Sequence, residues 1–333
     1  MILRYHSIAE GIMIFSKKVQ GYFIKTMYSR ADENGTVFYF SAKDFDGLSA
    51  EPFEFLSRRN EKLRGYFYHY DVKYPDRIII FEHGIGGGHR SYMKEIELIA
   101  RHGYLVFSYD HTGCMESEGE NTNGFVQSLS DLDACIDALE ALPETKDKKI
   151  SVVGHSWGGF SALNICALHP EVDHIVAISG YISAKQIIKQ KLPGWLAIYR
   201  RGVYDMERKA NPSLAASSAD ASLKNTDANV LIIHSDDDKI VGKSFNFDVL
   251  KKALAGKENV RFLEVTGKGH NPNYTFDAVQ YMREFFNELQ EKIKGGELIT
   301  DERKSAFVAR FDWDRMTAQD ENVWAEIFKT LDA

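Results

Sequence analysis

The chain has 333 residues, 44% of them hydrophobic and 27% charged, which is enough to bury a full core and best fits one large domain with an insertion. Its formal net charge of -7 offers no general attraction to nucleic acid, whose binding relies on basic surface. Three scattered cysteines, Cys114, Cys135 and Cys166, argue against a disulfide framework or a zinc site, and no apolar run approaches the roughly twenty residues that span a bilayer. A cytoplasmic location is the default expectation, since residues 8–15 lack a small-residue cleavage signature.

Ile12, Phe15, Val19, Tyr22, Phe23 and Thr26 fall at helical spacing and predict an amphipathic helix packed on the body, within an N-terminal extension of residues 1–45. Phe53 to Leu56 and Leu63 to Tyr68 predict an antiparallel hairpin at a sheet edge. Arg77 to Glu82 reads as a strand that runs into His83-Gly84-Ile85-Gly86-Gly87-Gly88-His89. Glycines there let backbone N–H groups approach a ligand closely, and the missing G-K-[ST] ending argues against a phosphate cradle. Ser91 to His102 predicts a helix with a serine cap, Tyr92, Ile96 and Ile99 on one face and Gly103 at its stop. Tyr104 to Tyr109 reads as a further strand, and Leu129, Leu132, Ile136, Leu139 and Leu142 mark a further helix.

Next, Val152-Val153-Gly154-His155-Ser156-Trp157-Gly158-Gly159 joins the strand Lys149 to Val153 to a helix over Phe160 to Leu168, closed by Pro170. This is a G-x-S-x-G elbow: the turn is so tight that the residues two positions either side of the serine must lack side chains, which leaves the hydroxyl exposed. A serine hydroxyl is a weak nucleophile without a base and an acid that orients the base, and both follow the serine in the fold that uses this elbow. Strand Asn229 to His234 runs into Ser235-Asp236-Asp237-Asp238, and strand Val260 to Val265 runs into Thr266-Gly267-Lys268-Gly269-His270. The order is Ser156, one of three aspartates, then His270. His155 is expected to pack or hydrogen-bond, pointing away from the serine, and two of the three aspartates to form a solvated turn. The spacing of His83, His89, Asp110 and His111 matches no metal-ligand motif.

Alternating strands and helices predict an α/β fold with a mostly parallel sheet covered on both faces. Between strand His174 to Ser179 and strand Asn229 to His234 lie more residues than one crossover helix needs, so residues 181–225 are expected to form a helical cap over a core of 46–180 and 226–295. Within it Lys185, Lys189, Lys191, Arg200, Arg201, Arg208 and Lys209 outnumber Asp205 and Glu207, either a solvated face or an attraction for an anionic substrate. Trp195, Tyr199 and Tyr204 are candidates to line the substrate pocket or to form the cap's own small core. Val323, Trp324, Ile327, Phe328 and Leu331 place a helix in a C-terminal extension of 296–333, packed on the body or on a second subunit.

Taken together, these blocks over residues 75–290 resemble the α/β-hydrolase superfamily, in particular its capped esterases, acylglycerol lipases and serine aminopeptidase-like members. His234-Ser235-Asp236-Asp237-Asp238-Lys239-Ile240-Val241 is similar to the family's HGxxDxxV setting with Ser235 in place of glycine, which points to Asp238 as the acid and leaves Asp236 as the fallback. His83-Gly84-Ile85-Gly86 looks like its HGxG loop, which implies the N–H groups of Ile85 and Trp157 as oxyanion donors. Asp110 to Gly119 is similar to the D-x-x-G-x-G-x-S loop, with Cys114 and Met115 departing from it. The resemblance implies a serine hydrolase that cleaves a carboxylic ester, needing neither cofactor nor metal. A serine aminopeptidase, thioesterase or acyltransferase would share the triad, and an aminopeptidase would need Glu116 or Glu118 to face the serine. A non-catalytic binding protein on the same scaffold is the alternative of a different class.

Overall fold

The computed structural model describes residues 17–333. Its strands are β1 (Ser49–Leu56), β2 (Lys62–His69), β3 (Arg77–Glu82), β4 (Leu105–Tyr109), β5 (Lys149–His155), β6 (His174–Ile178), β7 (Asn229–Ser235) and β8 (Val260–Val265). They form one eight-stranded sheet in the order β1-β2-β4-β3-β5-β6-β7-β8, in which β1, β2 and β4 pair antiparallel and all other pairs are parallel. The helices are α1 (17–27), α2 (Met93–His102), α3 (Gln127–Ala141), α4 (Trp157–Asn164), α5 (Ala184–Lys191), α6 (Arg200–Ala210), α7 (Ala219–Lys224), α8 (Phe247–Ala253), α9 (Phe276–Lys294), α10 (Asp301–Val308), α11 (Trp313–Met316) and α12 (Glu321–Leu331).

Strand periodicity divides the core in two. Ile78, Ile80 and Val152 point to one face, where Leu129, Leu132 and Ile136 of α3 and Phe160 and Leu163 of α4 cover them. Ile79, Phe81 and Val153 point to the other, against Ile96 and Ile99 of α2 and Val323, Trp324 and Ile327 of α12. The C-terminal helix therefore completes one layer of the body. Its start is capped by Asp320, which accepts the N–H groups of Asn322 and Val323 at 3.0 and 3.1 Å. Because the chain runs from β3 outward to β4 and then returns to place β5 on the other side of β3, the strand order reverses there. The carboxyl ends of β3 and β5 border a crevice where ligands bind in such sheets.

Several local expectations shift. Ser91 caps no helix: residues 89–92 form a 3-10 turn and α2 starts at Met93. Gly103 does stop α2, at φ 118°. The helix expected over 160–168 starts earlier, at Trp157, since the elbow turns straight into it, and ends in a 3-10 turn at Ile165–Ala167.

At the N-terminus Ile12 and Phe15 lie outside the described residues. In α1 only Phe23 is buried, against Phe125, while Tyr22 and Thr26 face outward, so its apolar stripe is narrower than the spacing predicts. Residues 28–41 are irregular, and the loop from Gly113 to Thr122 takes up their hydrogen bonds: Ala31 donates to Gly113 at 2.9 Å, Met115 donates to Ala31 at 2.8 Å, and Arg30 reaches the carbonyls of Met115, Ser117 and Gly119.

The segment between β6 and β7 is joined to this N-terminal part by one buried carboxyl. Glu207 of α6 accepts from the Tyr28 hydroxyl and, at 3.1 Å, from the Phe125 N–H. Burial pushes its carboxyl up to about 7, with the Tyr28 hydrogen bond pulling the other way. A raised carboxyl contributes most below its unfolded value of about 4.5 and loses that contribution as pH rises through about 7. Glu207→Gln keeps the accepting oxygen and removes the titration. Its stability relative to the native protein is expected to rise by about 3 kcal/mol between pH 5 and pH 8, as read by urea unfolding at both pH values.

Candidate active site

Ser156 stands between β5 and α4 at φ 56° and ψ -106°, a conformation that costs a non-glycine residue of order 1–3 kcal/mol and aims the hydroxyl off the strand end. Both flanking glycines are dictated by contact. A Cβ on Gly154 would lie 2.2 Å from the Gly158 carbonyl oxygen, and one on Gly158 would lie 2.1 Å from that of Glu82. The steric demand read from the sequence is thus met by backbone on both sides.

His270 reaches this serine from the loop after β8. Its Nε2 is 2.8 Å from Ser156 Oγ and its Nδ1 is 2.8 Å from Asp238 Oδ2. Asp238 is buried, and its other oxygen accepts the N–H groups of Ile240 and Val241 at 2.8 and 3.1 Å. Burial would raise its pKa, but the hydrogen bond and charge of His270, the charge of His234 and the Val241 N–H together hold the carboxyl below the usual carboxylate range. It is the anionic partner a histidine needs.

The neighbouring aspartates form the expected turn, with Asp236 exposed and Asp237 half-buried, but both also hold the next loop. Asp236 accepts the Gly267 N–H at 2.9 Å, and Asp237 accepts the Gly269 N–H at 2.6 Å and pairs with Arg283. Ser235, which replaces the glycine of the related pattern, donates to Asp237 at 2.8 Å and accepts from the Lys268 N–H at 3.0 Å. Four consecutive side chains, Ser235 to Asp238, therefore hold the loop that carries His270. Gly267 and Gly269 meet them at positive φ, 76° and 57°, which their missing side chains allow.

A second network was not anticipated. His155 does hydrogen-bond, but it does not point away: its ring lies 4.8 Å from that of His270. Its Nε2 is 2.7 Å from the His270 carbonyl oxygen, which can only accept, so this nitrogen carries the proton. Burial, followed by the charge of His270, lowers its pKa to about 3, so the ring is neutral and Nδ1 is an acceptor. The Tyr92 hydroxyl, 2.8 Å away, donates to that nitrogen and accepts from the Gly84 N–H at 3.1 Å. One chain of hydrogen bonds thus ties the glycine-rich loop after β3, the elbow and the His270 backbone together.

His83 begins that loop and is buried. Burial depresses its pKa to about 3, and its Nδ1–H donates to the Gly84 carbonyl at 2.8 Å while Nε2 accepts from the His111 N–H at 3.0 Å. The ring fixes the peptide that leads into Ile85. Trp157 is the first residue of α4, where an N–H has no acceptor within the helix. His89 and Asp110 bond each other at 2.8 Å, and among the described residues no group of three or more His, Cys, Asp or Glu is placed to hold a metal. The three cysteines are buried and free.

Trp195 is 67% exposed and packs edge-to-face with Tyr199, which is buried. The Tyr204 hydroxyl donates to the Ala215 carbonyl at 3.1 Å, and Lys185 lies over its ring. Glu116 bonds the Tyr66 hydroxyl at 2.8 Å and Glu118 accepts the Lys62 N–H at 2.9 Å, so both carboxylates are engaged by β2.

Residues 77–205 match the model of a family described by the alpha/beta hydrolase fold. An esterase of Pyrococcus furiosus superposes with a TM-score of 0.57 at 20% identity, covering 85% of this chain and 99% of its own. Est1E from Butyrivibrio proteoclasticus gives 0.51 at 17% identity, covering 73% and 99%. A 2,6-dihydroxy-pseudo-oxynicotine hydrolase gives 0.52 at 17%, covering 69% and 64%. The chain has the α/β-hydrolase fold. No helix among the described residues is long and apolar enough to cross a membrane.

Proposed function

We propose that this chain, built on the α/β-hydrolase fold, is a serine hydrolase that cleaves a carboxylic ester through an acyl-enzyme. The observation that carries the reading is the pair of 2.8 Å contacts from His270, one to Ser156 Oγ and one to Asp238. In this mechanism His270 Nε2 takes the Ser156 proton as Oγ attacks the ester carbonyl, and Asp238 holds the ring tautomer and stabilises the imidazolium. The N–H groups of Ile85 and Trp157 receive the oxyanion, each worth roughly 3 kcal/mol. His270 returns its proton to the departing alcohol, and water then attacks the acyl-enzyme with His270 again as base. No step draws on a cofactor. The segment of residues 181–225 would act as the cap over the acyl side.

The ester reading is preferred over an aminopeptidase because Glu116 and Glu118 are committed to β2 and so do not supply an anionic site for a substrate ammonium. The test is covalent labelling with a fluorophosphonate beside a panel of esters, thioesters and amino-acyl amides. Labelling that disappears in Ser156→Ala, with turnover greatest for esters, is the expected result. Unlabelled native protein would revive a non-catalytic binding role.

The network behind His270 carries its own expectation. Tyr92→Phe leaves the buried Nδ1 of His155 without a donor, at a cost of about 1–3 kcal/mol, and loosens the backbone that aims His270. Steady-state kinetics on a small ester such as ethyl butanoate should show kcat reduced roughly tenfold, because the change disturbs the orientation of His270.

A further inference from the structure

A cavity of about 500 Å³ adjoins the His270 loop and the glycine-rich loop after β3, and the mechanism above leaves it without a role. Its inner edge is formed by Tyr92, by Gly86, the residue after Ile85, and by Asn271, the residue after His270. The outer walls come from the two ends of the chain: Phe38 and Tyr39 from the irregular segment 28–41, Phe286 from α9, and Trp313 and Met316 from α11. Phe38 and Phe286 are 40% and 44% exposed, so large apolar surface is left uncovered on a concave wall. Such surface is the lining of a small-molecule site. No lysine, arginine or histidine is among the residues that line it, and its one charged side chain, Asp32, is an anion already paired with Arg30 at 2.8 Å.

The side of the reaction that this cavity serves follows from the chemistry. When the tetrahedral intermediate collapses, the bond between the acyl carbon and the alkoxy oxygen breaks, its electron pair stays on that oxygen, and the imidazolium Nε2–H of His270 protonates it. The alkoxy group therefore lies on the His270 side of the acyl carbon, and Asn271 and Gly86 are where that side meets the cavity. The geometry points to a leaving-group pocket: the cavity receives the alcohol portion of the ester, and that portion is bulky, apolar and uncharged, an aromatic or branched alcohol. This assignment rests on the reading of the chain as an esterase.

The test compares kcat/KM for (2-naphthyl)methyl butanoate with that for ethyl butanoate, two esters that both leave as alkoxides, in the full chain and in the double variant Phe38→Ala/Phe286→Ala. A second ratio, ethyl octanoate to ethyl acetate, varies the acyl group alone. Both phenylalanines are already partly exposed, and Phe286→Ala by itself serves if the double variant folds poorly. The alcohol ratio is expected to fall roughly tenfold or more, carried by KM, with the acyl ratio within twofold of native. An unchanged alcohol ratio, or a fall in the acyl ratio instead, overturns the leaving-group assignment while hydrolysis by the native chain leaves the esterase reading standing. Native protein that hydrolyses none of the four esters overturns both.

Discussion

Replacing Ser156 with alanine is expected to lower kcat for ester hydrolysis by roughly 10⁴ to 10⁶-fold, the range over which loss of a serine nucleophile acts, while the protein stays folded. The argument starts from the backbone. Ser156 keeps φ 56° whether it carries a hydroxyl or a hydrogen, because the geometry is imposed by contacts of Gly154 and Gly158 and by the hydrogen bond from its own N–H to the Ile178 carbonyl at 2.8 Å. Alanine adds no atom, and the one hydrogen bond lost is the contact with His270 Nε2. Unfolding free energy should therefore stay within about 1 kcal/mol of native. Residual turnover would come from the oxyanion donors and from binding. Adding His270→Ala to the alanine variant should cost little more, because the two side chains act as one unit. A Ser156→Ala protein that retains more than one per cent of native ester turnover would sink the assignment of the nucleophile.

How far this site was legible depends on where the constraint lies. The elbow is a local steric device: Gly154, Ser156 and Gly158 collide or fit according to their own spacing, so the sequence displays it in full. The parallel strands β3, β5, β6 and β7 read as apolar runs because both faces of the sheet are covered, and Ile78 to Phe81 are buried on alternate sides. The link from Gly84 through Tyr92 and His155 to the His270 carbonyl was hidden. Its members are two polar side chains and two backbone groups on four separate segments, and nothing periodic marks a histidine that will meet a carbonyl 115 residues away.

The tie between the turn of Asp236 and Asp237 and the His270 loop was hidden for a related reason. A hydrated Asp turn does not display that its partners, the N–H groups of Gly267 and Gly269, come from another loop. Likewise residues 28–41 offer no periodicity, because the loop after β4, rather than a helix or sheet of their own, satisfies their backbone. The walls of the cavity beside Gly86 come from that segment and from the C-terminal helices. A search confined to the segment between β6 and β7 would have missed it.

Asp238→Asn is expected to lower kcat by about 10⁴, the loss seen when the acid of a serine protease triad is made an amide. Asparagine would either turn its NH₂ toward His270 Nδ1, forcing the proton to Nε2 so that the ring cannot accept from Ser156, or keep its oxygen there and give up the anion that stabilises the imidazolium. Keeping the oxygen toward His270 sets the NH₂ against the Ile240 and Val241 N–H groups, which the carboxylate accepts now. The favoured rotamer is thus the one that presents the wrong group to His270.

Asp236→Asn makes the contrast. Its Oδ1 accepts the Gly267 N–H, a bond that an amide oxygen reproduces, and the side chain does not touch His270, so kcat should change less than about threefold. The stability of Asp238→Asn is also expected to depend on pH. Because the folded Asp238 carboxyl sits below its unfolded value, its stabilising contribution is present above about pH 4 and lost as pH falls through the folded value. The stability deficit of Asp238→Asn should accordingly be full at pH 7 and narrow on acidification. A large loss of kcat in Asp236→Asn with a small one in Asp238→Asn would move the acid to Asp236 and leave Asp238 as a loop anchor.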